Sequence, residues 1–153
     1  MYSKTESSEI KQAFWTAFGQ FMSLQPTSNA SKINWINYKT GVKHLYFKMD
    51  ADSKSATISI ELNHPDLGVQ ELMFEQFREL RKLLENNLGE EWEWSVHELN
   101  AHQQTISTIK TMLPGVSIFR KEDWPAMISF FKQRIVALHD FWEDARYAFE
   151  FFL

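Results

Sequence analysis

Lys43-His44-Leu45-Tyr46-Phe47-Lys48-Met49-Asp50-Ala51-Asp52-Ser53-Lys54-Ser55-Ala56-Thr57-Ile58-Ser59-Ile60-Glu61-Leu62 is the stretch whose reading decides the fold. Lys43, Leu45, Phe47 and Met49 alternate with His44, Tyr46, Lys48 and Asp50. After the polar Ala51-Asp52-Ser53-Lys54, the residues Ala56, Ile58, Ile60 and Leu62 alternate with Ser55, Thr57, Ser59 and Glu61. Side chains on a strand point to opposite faces in turn, so two period-2 runs around an Asp-rich turn predict a β-hairpin with one buried face. Just upstream, residues 33–38 are rich in β-formers, and Lys39-Thr40-Gly41 offers a turn. That predicts a third strand and a meander.

Working outward, the period changes. Downstream, His64-Pro65-Asp66 stops the strand, and Asp66 can cap a helix. Leu72, Gln76, Phe77, Leu80, Leu83 and Leu84 come next at helical spacing, and Gly89 is a natural terminator. Trp92, Trp94 and Val96 alternate with acidic and polar neighbours as a further strand, and residues 105–112 read as another. Pro114-Gly115 is a turn, after which residues 116–119 can extend the sheet. At the end, Ile128, Phe131, Ile135, Leu138, Trp142, Ala145, Phe149 and Phe152 recur at three and four, with Asp123 as cap and Pro125 in the first turn. One helix over residues 124–152 would be about 43 Å long, which predicts a kink near Arg134 or two shorter helices. Upstream, Ile10, Phe14, Ala17, Phe18 and Phe21 form the stripe of a first helix capped at Ser7 or Ser8, with a polar connection after it over residues 25–32. The expected order is α-β-β-β-α-β-β-α. This is an α+β domain over residues 1–153, with an antiparallel sheet of about five strands and a long C-terminal helix or helix pair. The expected core holds Leu45, Phe47, Ile58, Ile60, Phe77, Leu80, Trp94, Phe131 and Ile135.

Composition excludes several chemistries. The 153 residues contain no cysteine, which removes disulfides, thiolate metal sites and a cysteine nucleophile. Hydrophobic residues are 44% and charged residues 24%, an ordinary globular balance, but aromatics reach 15% with 13 Phe and 6 Trp. No apolar run is long enough to span a membrane, and Met1-Tyr2-Ser3-Lys4-Thr5-Glu6 has no signal-type character, so a cytoplasmic location is expected. Five scattered glycines form no phosphate-binding loop. His97-Glu98 and His102 place two histidines five apart, one residue too many for a shared helical face, so no metal site is expected there. Asp50-x-Asp52 could hold a divalent cation but also suits a hairpin turn. No catalytic set and no cofactor site is nominated.

Charge is more informative. Residues 32–54 carry five lysines against two aspartates, a local +3, whereas residues 61–98 carry ten acids against three bases, a local −7, in a chain of net charge −4. Lysines beside aromatics on a sheet can form a single-strand platform, and the candidates are Lys43, His44, Tyr46, Lys48 and Lys54. The same pattern suits a solvated outer face with lysines guarding an edge strand. Phe130, Phe141 and Phe151 lie off the stripe of the last helix, so that helix is apolar on more than one side. Either a homodimer covers these three or one protomer buries them.

Ile33-Asn34-Trp35, Ile58-Ser59-Ile60-Glu61-Leu62, Phe74-Glu75-Gln76-Phe77, Leu88-Gly89-Glu90-Glu91-Trp92-Glu93-Trp94, Thr105-Ile106-Ser107 and Asp123-Trp124-Pro125 occur in this order. Together they resemble a bacterial domain family of unknown function that occurs alone or fused behind a restriction-nuclease-like domain. The resemblance covers nearly the whole chain and implies no catalytic residue. It implies a non-catalytic accessory module with a protein partner, near DNA-processing systems. A nucleic-acid-binding accessory domain is the alternative, and a metal-dependent hydrolase built from scattered carboxylates is the least supported.

Overall fold

The hairpin forms as the alternation requires. In the computed structural model, which describes residues 2–24 and 33–153, β1 (Leu45–Ala51) pairs antiparallel with β2 (Ser55–Leu62), setting Phe47 opposite Ile60 and Met49 opposite Ile58. The connection expected over residues 25–32, with Lys32, lies outside the described residues. Asp52 makes the hairpin turn. Its Oδ1 accepts the backbone N–H groups of Lys54 and Ser55 at 2.8 and 2.9 Å. The Lys54 N–H above all holds the Asp52 carboxyl below the usual carboxylate range. Both lone-pair directions of that oxygen are thus spent on the turn, which is the turn former's reading of Asp50-x-Asp52.

The sheet has four antiparallel strands in the order β1-β2-β4-β3, with β3 at Glu93–Leu99 and β4 at Thr105–Pro114. The strand expected at residues 33–38 does not form. That segment runs through bends and a turn, with the Asn37 N–H donated to Asn34 Oδ1 at 3.0 Å. Its β-forming side chains serve as packers instead: Trp35 is buried and Tyr38 stacks on Phe47 at 5.2 Å. Residues 116–119 do not extend the sheet either. Gly115 turns the chain at φ 75, and Val116 and Ile118 drop into the core.

The helices form one layer: two lie against a face of the sheet, and the other two pack on the last of them. α1 (Lys4–Met22) is capped by Ser3, not Ser7 or Ser8, because Glu6 completes a reciprocal capping box with it. The expected helix after Asp66 is broken into α2 (Leu67–Glu79) and α3 (Arg81–Leu88) at Leu80, whose ψ of 14° leaves the helical range. The buried stripe of α2 is Gln70, Met73, Phe74 and Phe77; Leu72, expected inside, is exposed. α3 ends at Gly89, whose φ of 71 is open to glycine because there is no Cβ to clash. α4 (Trp124–Ala145) runs unbroken through Arg134 for 22 residues, about 33 Å. The length problem is solved later, where residues Arg146–Phe152 tighten into a 3₁₀ segment that folds Phe149 onto Phe77 at 4.6 Å and Trp142 at 5.2 Å.

The core joins the inner faces of β1, β2 and β4 (Leu45, Phe47, Ile58, Ile60, Leu62, Ile109) to Phe14, Phe18, Phe74, Phe77, Phe131 and Phe149. Of the expected core, Leu80 and Trp94 are half-buried and the rest are buried. Phe130 and Phe141 correct the expected dimer face: both are buried within one chain. The guanidinium of Arg134 covers the Phe130 ring at 4.2 Å, and Phe141 stacks on Phe77 at 6.2 Å. Only Phe151, 92% exposed, stays on the surface. No helix among the described residues is long and apolar enough to cross a membrane.

Candidate functional site: the open face of the sheet

The alternation that buries one side of the hairpin turns the other side outward. Register places Tyr46 opposite Glu61 and Lys48 opposite Ser59, then Glu61 opposite Thr108 and Ser59 opposite Lys110. These side chains floor a trough of about 970 Å³, walled by residues 98–102 at one side and by residues 36–39 with Trp15 at the other. The floor is polar and its cations are occupied. Lys48 Nζ is 2.7 Å from Glu61 Oε2, and Lys110 Nζ is 3.4 Å from Glu98 Oε1.

Glu98 reaches this face through a bulge. Between Ser95 and Glu98 the β3–β4 register shifts, and His97 takes a φ of 53. An extra residue in one strand re-aims the side chains beyond it. The result sets Glu98 opposite Ile106, where its Oε1 accepts the Thr108 hydroxyl at 2.7 Å. His97 itself points away from the trough, with Nε2 3.2 Å from the Leu67 carbonyl oxygen. His102 lies in the trough wall. The two histidines of the near-motif therefore do not converge. Among the described residues, no group of three or more His, Asp or Glu is placed to hold a metal ion.

Of the five residues nominated from charge, only Tyr46 and Lys48 meet on this face, with the Lys48 ammonium 5.3 Å from the Tyr46 ring centroid. Lys43 and His44 precede β1. There His44, at φ 68, contacts Asn63 Oδ1 through Nδ1 at 3.1 Å and meets His64 edge-on at 4.7 Å. Lys54 sits in the hairpin turn at the other end of the strand, about 20 Å away.

Three arrangements have no local signature in the sequence. Tyr38 Oη is 2.6 Å from His139 Nδ1, and His139 Nε2 is 3.2 Å from Glu143 Oε1. Burial first, then the Glu143 charge, pushes the Tyr38 phenol well above its ordinary range, so it stays protonated beside the imidazole. A hydroxyl held protonated is a fastener, not an activated nucleophile. Only the i,i+4 spacing of His139 and Glu143 is visible in the sequence; Tyr38 is 101 residues away. Second, Arg134 donates through Nε and Nη2 to both oxygens of Glu90 at 2.9 Å, while Trp92 Nε1 donates to Glu90 Oε2 at 2.7 Å. Third, Gln70 is fully buried. It takes the Ser107 hydroxyl at 2.6 Å and donates to the carbonyls of His64 and Thr105 at 3.1 and 3.0 Å. Asp123-Trp124-Pro125 is spent in the same structural way. Asp123 Oδ2 accepts the Ser117 N–H at 2.9 Å, and Trp124 Nε1 donates to the Ile118 carbonyl at 2.7 Å.

The fold and the trough define an α+β domain with helices packed on one face of a four-stranded antiparallel sheet and a polar concavity on the other. Residues 10–146 match the family described as Domain of unknown function (DUF4268), and the chain belongs to that family. No curated protein and no solved structure matches it.

Proposed function

We propose that this domain is a non-catalytic accessory module that binds a protein partner through the open side of its sheet and acts in the cytoplasm. One observation carries the reading: α2 and α4 cover the inner face, with α1 and α3 packed on α4, and the trough of about 970 Å³ lies on the other face. The stretches around Gly89-Glu90-Glu91-Trp92 and Asp123-Trp124-Pro125 support it indirectly, because their polar groups are consumed as fasteners. A protein suits the trough better than a phosphate backbone, since Lys48 and Lys110 are each already held by a carboxylate. The resemblance to a family found behind nuclease-like domains directs the search for a partner to DNA-processing proteins. The test is binding to the products of neighbouring genes. Ser59→Arg, which fills the trough floor, should weaken the partner at least about tenfold, a change of about 1.4 kcal/mol. Glu9→Arg on the far side of α1 should not. Equal binding by both variants would remove the trough from the interface.

A second reading, single-stranded nucleic acid, is favoured by Tyr46, a residue 40% exposed beside Lys48. It requires an affinity that falls steeply with salt. It also requires a loss of about 1–3 kcal/mol in Tyr46→Ala, the value of one stacked base. Flat titrations with mixed single and double strands at low salt would discard it.

A further inference from the structure

We infer that the seam between α1 and α4 carries a small-molecule site, which takes a monocarboxylate with an apolar aliphatic or aromatic body. The site shares no lining residue with the trough and does not rest on the partner-binding reading. Residues 125, 128, 129, 132 and 133 recur at three and four, so they share one face of α4. The buried Met127, Phe130 and Phe131 turn the other way. From α1, Phe21 walls the exposed face: its neighbours Phe18 and Met22 are buried, while Phe21 itself stays 45% exposed. The two helices enclose a groove of about 410 Å³, lined by Pro125, Ile128 and Phe21 with Ser129, Lys132 and Gln133. Positions 125 to 133 span about 12 Å of helix. Six residues are too small a patch for a stable protein interface, which buries about 800 Å² per partner. The volume falls within the range of small-ligand pockets, about 300–1,000 Å³.

Charge decides what kind of small molecule suits the groove. The Lys132 ammonium lies 5.1 Å from the Phe21 ring centroid, and among the described residues it forms no ion pair. Arg134, two residues on along the same helix, is by contrast held by both oxygens of Glu90 at 2.9 Å. An ammonium flanked by apolar surface is poorly solvated on that side, so a carboxylate brought to it gains more than it would in open water. Among the described residues, the Ser129 hydroxyl and the Gln133 side-chain amide also lack a partner in the chain, and both are exposed at the rim. One cation with two neutral donors matches a head of single negative charge. The Phe21 ring, Pro125 and Ile128 then give the hydrocarbon body an apolar surface to cover.

The probes are octanoate, 1-octanol and octylammonium, which share an apolar tail and differ in the charge of the head. Each is titrated into the wild-type domain while the backbone amide signals are followed by NMR. Octanoate should move the signals of Phe21 and residues 125–133, and should bind at least about fivefold tighter than 1-octanol. Octylammonium should bind more weakly than either. Lys132→Gln should bring octanoate down to the level of 1-octanol, whereas Lys132→Arg should keep the preference. Ile128→Ser should weaken octanoate and 1-octanol alike. Where Ile128→Ser fails to fold, the three wild-type titrations and the two Lys132 variants decide the matter. Ser59→Arg, in the trough floor, should change none of these affinities. Equal binding of octanoate and 1-octanol overturns the site, as does a preference that survives Lys132→Gln. Signals that move at Tyr46 and Ser59 instead, or no binding at millimolar ligand, overturn it as well. None of these outcomes bears on the trough, whose test is the partner's response to Ser59→Arg.

Discussion

The two edges of this sheet are protected by different physics. The β1 edge is shielded by side chains from a strap, residues 35–42, which is itself tied to α4. Tyr38 meets His139 at 2.6 Å, and Trp142 Nε1 donates to the Thr40 carbonyl at 2.9 Å. The β3 edge is shielded by its own backbone, through the bulge and the left-handed His97. Edge strands invite unwanted pairing, and both devices are known answers to it. They differ in what it takes to remove them. A strap can lift while every ladder bond of the sheet survives, whereas a bulge can be undone only by changing the strand.

The largest expected effect breaks the β1 side. Phe47 is the ring on which Tyr38 stacks, and it also meets Trp142 at 5.8 Å. Phe47→Ala should cost about 3–5 kcal/mol, since a cavity is added to the lost transfer free energy. Denaturant unfolding measures this. A cost below about 1 kcal/mol would mean that the strap and α4 hold together without the ring between them.

The next effect isolates the strap. Tyr38→Phe keeps the ring and deletes the hydroxyl, leaving His139 Nδ1 without its partner. The expected cost is about 1–3 kcal/mol, with faster amide exchange near residues 38–42 and none gained in β3. The same hydroxyl offers a pH test. Its folded pKa lies above the ordinary value near 10, so the unfolded chain loses this proton first. Stability from Tyr38 is therefore full below about pH 10 and declines as pH rises beyond it. In Tyr38→Phe that alkaline decline should shrink. An unchanged alkaline limb would show that Tyr38 is not buried against His139 as described.

How much of this contrast can be read in the sequence depends on the range of each interaction. The hairpin is legible because strand alternation is a local, period-2 property, and Asp52, Asp66 and Gly89 act on groups within a few residues. Residues 33–38 mislead because β-branched and aromatic side chains suit any half-buried surface, and here Trp35 and Tyr38 pack beside a strand without forming one. The break at Leu80 has no Gly or Pro to announce it. The burial of Phe130 and Phe141 depends on which neighbour covers a face, which periodicity does not encode. For the candidate site, Tyr46 and Lys48 are found through alternation. Glu98 is hidden by a bulge that shifts the register of its strand, and the carboxylates that occupy Lys48 and Lys110 come from other strands.

On the β3 side the test is His97. Its φ of 53 is open to histidine at some cost but is a poor fit for a β-branched residue. His97→Val should cost about 1–2 kcal/mol if the bulge is retained. It should also move Glu98 off the outer face if the strand straightens, because a one-residue slip sends each side chain to the opposite side. Aggregation at raised concentration would accompany a straightened β3, since the edge would then be regular. A variant as stable and as soluble as the wild type would show that the bulge is not what guards this edge.

The smallest effects distinguish the two ends of the trough floor. Lys48 is half exposed, pairs with Glu61 and lies over the Tyr46 ring, whereas Lys110 shares Glu98 with the Thr108 hydroxyl. An exposed pair contributes about 0–1 kcal/mol after screening. Lys48→Ala should therefore change stability by less than about 0.5 kcal/mol, while Lys110→Ala should cost somewhat more, up to about 1 kcal/mol, because it also loosens the carboxylate that the bulge delivers. Added salt should erase most of the Lys48 effect and less of the Lys110 effect, given that Lys110 is the less exposed of the two. The order matters more than the sizes. If Lys48→Ala were the costlier change, the β1 half of the floor would be part of the structural frame, and a partner could not use it without a stability penalty. If Lys110→Ala is the costlier, the polar frame lies beside the bulged edge and the surface free for contact lies beside the strapped one.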